Sequence, residues 1–172
     1  MKTLMQVLLS IFITMAAAQT SLAQQNPDQQ PPAYLRYPTI PPFTLLGLDG
    51  NKITRDNISD KFPTVLMYFS PGCDHCQHQV TAMMAEKEKF RKVNLVMATY
   101  QPMEELKTFY KQYKLAEFPN LIIGRDEQFF FPPYYKMTGL PNIALYDKKQ
   151  KLITNISGNA EVKTILQYLG IQ

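Results

Sequence analysis

The sequence predicts an α/β domain in which a central sheet is covered on both sides by helices. Three observations carry this: strand, helix, strand and helix alternate through the middle of the chain, a hairpin and one more helix close it, and there is enough apolar material for one core. The chain has 172 residues, 45% hydrophobic and 19% charged, with 10 Phe and 10 Tyr. That composition excludes a disordered tail or a collagen-like fibre. Without the N-terminal segment described next, about 150 residues remain, the usual size of a single compact domain. The formal charge of +4 is spread along the chain without a basic run, which argues against nucleic acid as a partner. Two cysteines cannot staple a scaffold of this size, so their role is local chemistry.

Taken in order, Met1 and Lys2 form a short basic start, and Leu4 to Ala18 is apolar apart from Gln6, Ser10 and Thr14. Small residues follow, and Ser21-Leu22-Ala23 before Gln24 is the better placed cleavage site. Residues 1–23 are therefore expected to be a secretory signal peptide. The apolar stretch is shorter than the roughly 20 residues a spanning helix needs, so the mature chain is expected to be a soluble exported protein of the bacterial periplasm or cell envelope. Residues 24–42 are rich in Gln and Pro and predict an extended linker or arm. Tyr34, Leu35 and Tyr37 leave open that it lies ordered across the domain, which is expected to span 43–172.

Phe43-Thr44-Leu45-Leu46 alternates and meets Asp49-Gly50 before Lys52-Ile53-Thr54, a hairpin pattern. Thr64 to Phe69 is a nearly unbroken apolar run between Pro63 and Ser70-Pro71-Gly72, hence a buried central strand. Cys73 to Arg91 contains no Pro or Gly and carries apolar Val80, Met83, Met84 and Phe90 on a helical repeat, and a second buried strand, Val93 to Thr99, follows. Pro102 suits the first turn of a further helix bearing Leu106, Phe109, Tyr110 and Tyr113 at helical spacing. Leu121-Ile122-Ile123 predicts a short strand or turn, while Asp126 to Tyr135 stays open because Pro132-Pro133 interrupt it. Asn142 to Tyr146 and Leu152 to Ser157 form a strand pair around the turn Asp147-Lys148-Lys149-Gln150. A helix from Ala160 to Leu169 ends the chain.

The chemistry concentrates in Cys73-Asp74-His75-Cys76, which opens a helix directly after a buried strand and a Pro-Gly turn. Unpaired backbone N–H groups and aligned peptide dipoles at a helix N-terminus favour a thiolate at Cys73. One turn of helix brings Cys76 beside it, the geometry of a reversible disulfide. Cys73 is then the exposed nucleophile and Cys76 the recessed resolving thiol. Asp74 would raise the pKa of Cys73 and His75 would lower it, predicting an intermediate redox poise. A rival is copper or zinc binding by Cys73, His75, Cys76 and His78, since soft thiolates and imidazoles suit both metals. On a continuous helix, however, His75 lies about 200° around from Cys73, so the four side chains do not converge and neither metal nor cofactor is expected.

These residues resemble the thioredoxin-like superfamily. Val65 to Cys76 resembles its active-site strand, turn and helix, and Thr138-Gly139-Leu140-Pro141-Asn142-Ile143-Ala144-Leu145-Tyr146-Asp147 resembles its cis-proline segment and following strand. The leader, the opening hairpin and the long stretch between Cys73 and Pro141 are similar to the exported TlpA/ResA-like branch. The resemblance implies a thioredoxin-like fold with a mixed sheet flanked by helices, an N-terminal hairpin and an insertion before the cis-proline. It further implies a cis Leu140-Pro141 bond facing the cysteines and contacting substrate, a thiol:disulfide oxidoreductase acting on protein thiols or disulfides, and electrons supplied by a membrane donor. A monomer is expected. The chain departs from the pattern in having Gly72 where a Trp usually precedes the first cysteine. Met67 and Gln79 stand where relatives carry a buried acid, which leaves Glu86 and Glu117 as unplaced candidates for proton transfer. The peroxide-reducing arrangement Pro-x-x-x-Thr-x-x-Cys is missing before Cys73. The direction of electron flow stays open, as does a redox-inactive binding role.

Overall fold

The computed structural model describes residues 30–171. The predicted leader 1–23 and the first residues of the predicted arm lie outside them. In chain order the elements are α1 (Ala33–Arg36), the hairpin β1 (Thr44–Gly47) and β2 (Lys52–Thr54), β3 (Thr64–Tyr68), α2 (Asp74–Ala85) and β4 (Asn94–Thr99). They continue with α3 (Met103–Gln112), β5 (Leu121–Arg125), α4 (Phe131–Tyr135), β6 (Asn142–Tyr146), β7 (Leu152–Ser157) and α5 (Val162–Tyr168). The strands form one mixed sheet in the order β2-β1-β5-β4-β3-β6-β7.

The sheet's order follows from burial. Every residue of β3, β4 and β6 is buried, as continuous apolar runs covered on both faces require. β3, β4 and β5 run parallel, β6 is antiparallel to β3, and the hairpin adds to β5 as an antiparallel edge. The hairpin turns at Gly50, whose φ of +83° is a backbone conformation open to glycine at little cost. β5 and α4 fill the chain between α3 and Pro141, where the extra sequence was expected.

Alternate residues of the strands feed two separate cores. On one face Val65 and Met67 of β3, with Phe69 just after it, pack with Val80 and Met83 of α2, Leu106 and Phe109 of α3, and Ile165 and Leu166 of α5. On the other, Leu66 and Tyr68 pack with Phe131 and Tyr135 of α4 and with Phe43, Ile58 and Tyr146. The aromatic stripe on α3 is core, with the Phe109 ring 4.9 Å from that of Phe69 and 4.4 Å from that of Tyr113.

The helix expected over Cys73–Arg91 stops being α-helical at Ala85 and continues as one turn of 3-10 helix, Lys87–Phe90. Between Ala85 and Phe90 the residues are Glu-Lys-Glu-Lys, so nothing apolar holds that stretch to the core until Phe90 is buried against Phe118. The segment Asp126 to Tyr135, left open by the sequence, resolves into a loop and the short α4. The buried Asp126 carboxylate accepts hydrogen bonds from the N–H groups of Phe130 and Phe131 (3.0 and 3.1 Å), so a side chain caps this turn.

The described part of the predicted arm lies along the domain. Ile40 is fully buried, the Tyr34 ring sits 5.7 Å from that of Tyr135, and Tyr134 donates its hydroxyl to the Tyr37 carbonyl. Backbone bonds from Ile40 to Gln150 and from Leu152 to Pro38 pin the arm beside the start of β7. Among the described residues no helix is long and apolar enough to cross a membrane.

Candidate functional site

β3 ends at the C-terminal edge of the sheet, and the turn Ser70-Pro71-Gly72 carries the chain over that edge into α2. The Cys73 N–H donates to the Ser70 carbonyl (3.1 Å) and the Gln77 side-chain amide donates to the Pro71 carbonyl (2.8 Å). The turn is thus tied to the helix it precedes. Cys73 occupies the N-cap position with extended backbone, φ −91° and ψ 116°, and its side chain makes no capping bond. Its sulfur is only partly buried. It lies 3.8 Å from the Leu140 carbonyl oxygen, within reach of a weak S–H donor.

Leu140 arrives from the opposite side of the site. β6 begins at Asn142, paired with Tyr68 at the end of β3, so the residues just before β6 meet the residues just after β3. The Leu140–Pro141 peptide bond is cis; Pro141 is buried and Leu140 half-buried. The loop after β7 ties this segment to the helix. Gly158 N–H donates to the Pro141 carbonyl, the Asn159 side-chain amide to the His75 carbonyl, and Ala160 N–H to the Gln79 side-chain oxygen, each at 2.8 Å.

Two residues separate two thiols in contrasting surroundings. Cys73 is partly exposed, whereas Cys76 is fully buried among Val80, Met83, Met67 and Phe69. Burial pushes the Cys76 thiol up to about 12, and the neighbouring Cys73 sulfur adds to the rise while a backbone contact at Ser70 opposes it. Cys76 therefore holds its proton at neutral pH.

Of the other predicted site residues, Asp74 and His75 are exposed on the first turn of α2, and so is His78. Among the described residues no three His, Cys, Asp or Glu side chains come together as a metal site, so the Cys73, His75, Cys76 and His78 set does not converge. Glu86 and Glu117 pair instead with Lys89 and Lys87 at the surface, far in character from a buried proton acceptor. Nothing in the sequence pointed to Asn159, whose role comes from a tertiary bond across 84 residues. Gln79 it placed correctly in the helix but without a partner; the amide is buried, with its Nε2 unpaired.

The model of the AhpC/TSA family matches residues 38–156. None of the curated proteins matches the chain. Among solved structures it is similar to a secreted Mycobacterium tuberculosis disulfide oxidoreductase homologous to E. coli DsbE, at 17% identity and TM-score 0.60, with 73% of this chain and 93% of that one covered. It is similar also to StoA from Bacillus subtilis (18%, TM-score 0.58, 76% and 98% covered). The exposed lipoprotein thioredoxin Etrx1 of Streptococcus pneumoniae is a third such structure (22%, TM-score 0.59, 76% and 98% covered). The mixed sheet with its parallel centre, the helix opening on Cys73 and these likenesses agree, and the chain belongs to the AhpC/TSA family with a thioredoxin-like fold.

Proposed function

We propose that this chain is an exported thiol:disulfide oxidoreductase that exchanges disulfides with protein substrates through Cys73 and Cys76. The single observation that carries this reading is the pairing of an accessible thiol at the tip of α2 with a fully buried one a helical turn below. The Cys73 thiolate attacks one sulfur of a substrate disulfide, forming a mixed disulfide and releasing the other substrate sulfur as a thiolate. Cys76 then gives up its proton and attacks the Cys73 sulfur, which closes the Cys73–Cys76 disulfide and expels the second substrate thiolate. Two electrons pass to the substrate, and the reverse sequence oxidises a substrate dithiol.

In this reading Leu140 and Pro141 form the backbone ledge against which the substrate lies, and Asp74 and His75 tune the Cys73 thiolate. Residues 1–23 export the chain, and a membrane donor returns electrons to the disulfide. The DsbE homologue is described as a secreted disulfide oxidoreductase, which supports export and thiol:disulfide exchange. Peroxide reduction, which the family name brings to mind, is disfavoured by the missing Pro-x-x-x-Thr-x-x-Cys arrangement.

The test is trapping: Cys76→Ser is expected to accumulate a mixed disulfide with substrate proteins, because the second attack is removed. No trapped partner, together with a Cys73 that fails to react with a thiol probe at neutral pH, would turn the reading to a redox-inactive binding module. Direction follows from the reduction potential: a value near about −270 mV marks a reductase and one near about −120 mV an oxidase.

A further inference from the structure

Cys73 shares its edge of the sheet with an exposed pair of aromatic rings. Tyr68 pairs with Ala98, so two residues on, Ser70 lies across from Tyr100. The Gln101 side-chain amide donates to the Ser70 hydroxyl (3.4 Å), and Ser70 in turn accepts the Cys73 N–H. Tyr100 is 44% exposed and Phe129 50% exposed, and their rings meet edge to face at 5.3 Å. Among the described residues no other ring pair has both members exposed.

Phe129 is held out at a cost. Its φ is +52°, a left-handed conformation that a residue with a Cβ resists and glycine adopts freely. The buried Asp126 enforces it: its carboxylate accepts the next two N–H groups, its carbonyl accepts the Phe129 N–H, and its own N–H donates to the Thr99 carbonyl (2.7 Å). Arg125 donates to the Tyr100 carbonyl (3.3 Å) and so fixes the partner ring's backbone. A glycine at 129 would remove both the backbone strain and the exposed apolar surface, so the fold alone does not call for phenylalanine here. Strain and exposed apolar surface that meet on the sheet edge carrying a reactive group point to a functional contact.

We infer that Tyr100 and Phe129 form a docking ledge for the polypeptide whose disulfide is exchanged at Cys73, and that the ledge receives an aromatic or large aliphatic side chain near the substrate cysteine. Arg125 and Glu127 beside it pair with each other, so the ledge offers ring surface rather than charge. This inference rests on Cys73 acting as the exchanging thiol.

The experiment compares three substrates with the full-length mature protein: oxidised glutathione, a short peptide disulfide with Phe two residues from its cysteine, and the same peptide with Ser there. Rates with each peptide are divided by the same protein's rate with glutathione. The wild type is expected to favour the Phe peptide by up to about tenfold, the worth of one good ring contact. In Phe129→Gly the preference falls towards one while thermal stability holds or rises, because the strain is gone. Phe129→Asn, which tolerates the same backbone, and Tyr100→Ser are expected to lose the preference too. A wild type that treats the two peptides alike, or variants that keep the preference, overturns the ledge while glutathione exchange still supports the reading of Cys73. No exchange with glutathione or either peptide overturns that reading, and the ledge falls with it.

Discussion

The two faces of the sheet are built from different materials. The face under α2 is packed with Val, Leu, Ile and Met and with Phe69, Phe90, Phe109 and Phe118, and it holds Cys76 among buried side chains that carry no hydroxyl. The opposite face gathers Phe43, Tyr68, Phe131, Tyr135 and Tyr146, where the Tyr135 and Tyr146 hydroxyls bond each other and Asp126 ties down the loop into α4. The difference separates tasks. A dry face without buried hydroxyls keeps the Cys76 sulfur protonated, and a tyrosine-bearing face anchors the arm and the loop into α4.

The largest expected effect tests whether the tyrosine-bearing face serves stability alone. Phe131 is fully buried and packs its ring with those of Phe43, Tyr68, Phe130 and Tyr135, so Phe131→Ala is expected to cost about 3–5 kcal/mol. The rate at which a thiol probe labels Cys73 in the native protein should stay as in the wild type. Denaturant midpoints measure the first and labelling kinetics the second. A matching change in labelling would mean that the two faces are mechanically one.

Asp126→Ala sharpens the same contrast at a smaller scale. It leaves the buried Phe131 N–H and the half-buried Phe130 N–H without their acceptor, at roughly 1–3 kcal/mol for a buried group. It also frees Phe129, so the loss of stability should be accompanied by a mobile 126–131 loop, visible as faster amide exchange at Phe130 and Phe131. Unchanged exchange at those two amides would remove Asp126 as the anchor.

Much of this was legible in the sequence because the signals are local. An unbroken apolar run bounded by breakers is enough to place β3, and a Cys pair one turn apart at a helix start is enough to bring the two thiols together. What escaped depends on partners far along the chain. Nothing near Asn159 announces a bond to His75, and Pro132-Pro133 hid α4 because the cap that makes the turn workable, Asp126, stands five residues before the helix's first residue. The premature end of α2 escaped for the opposite reason. Glu86 to Lys89 suit a helix well enough, and only the absence of packing against the core lets the backbone tighten there.

The smallest expected effect is a pH dependence that isolates the Cys76 side. A free thiol ionises near 8.5, whereas burial holds that of Cys76 at about 12 in the fold. The unfolded chain therefore releases this proton first as the pH rises. The stabilisation is complete below the unfolded value and is lost as pH climbs from about 9 towards 12. Burial raises the phenols of Tyr68, Tyr135 and Tyr146 as well, so the tyrosine-bearing face loses stability in alkali in the same direction. The two contributions separate in a comparison of the reduced wild type with Cys76→Ala, which keeps the tyrosines. The wild type should fall more steeply between pH 9 and 11 in a denaturant series, and parallel curves would mean that the Cys76 thiol ionises in the fold as readily as in the open chain.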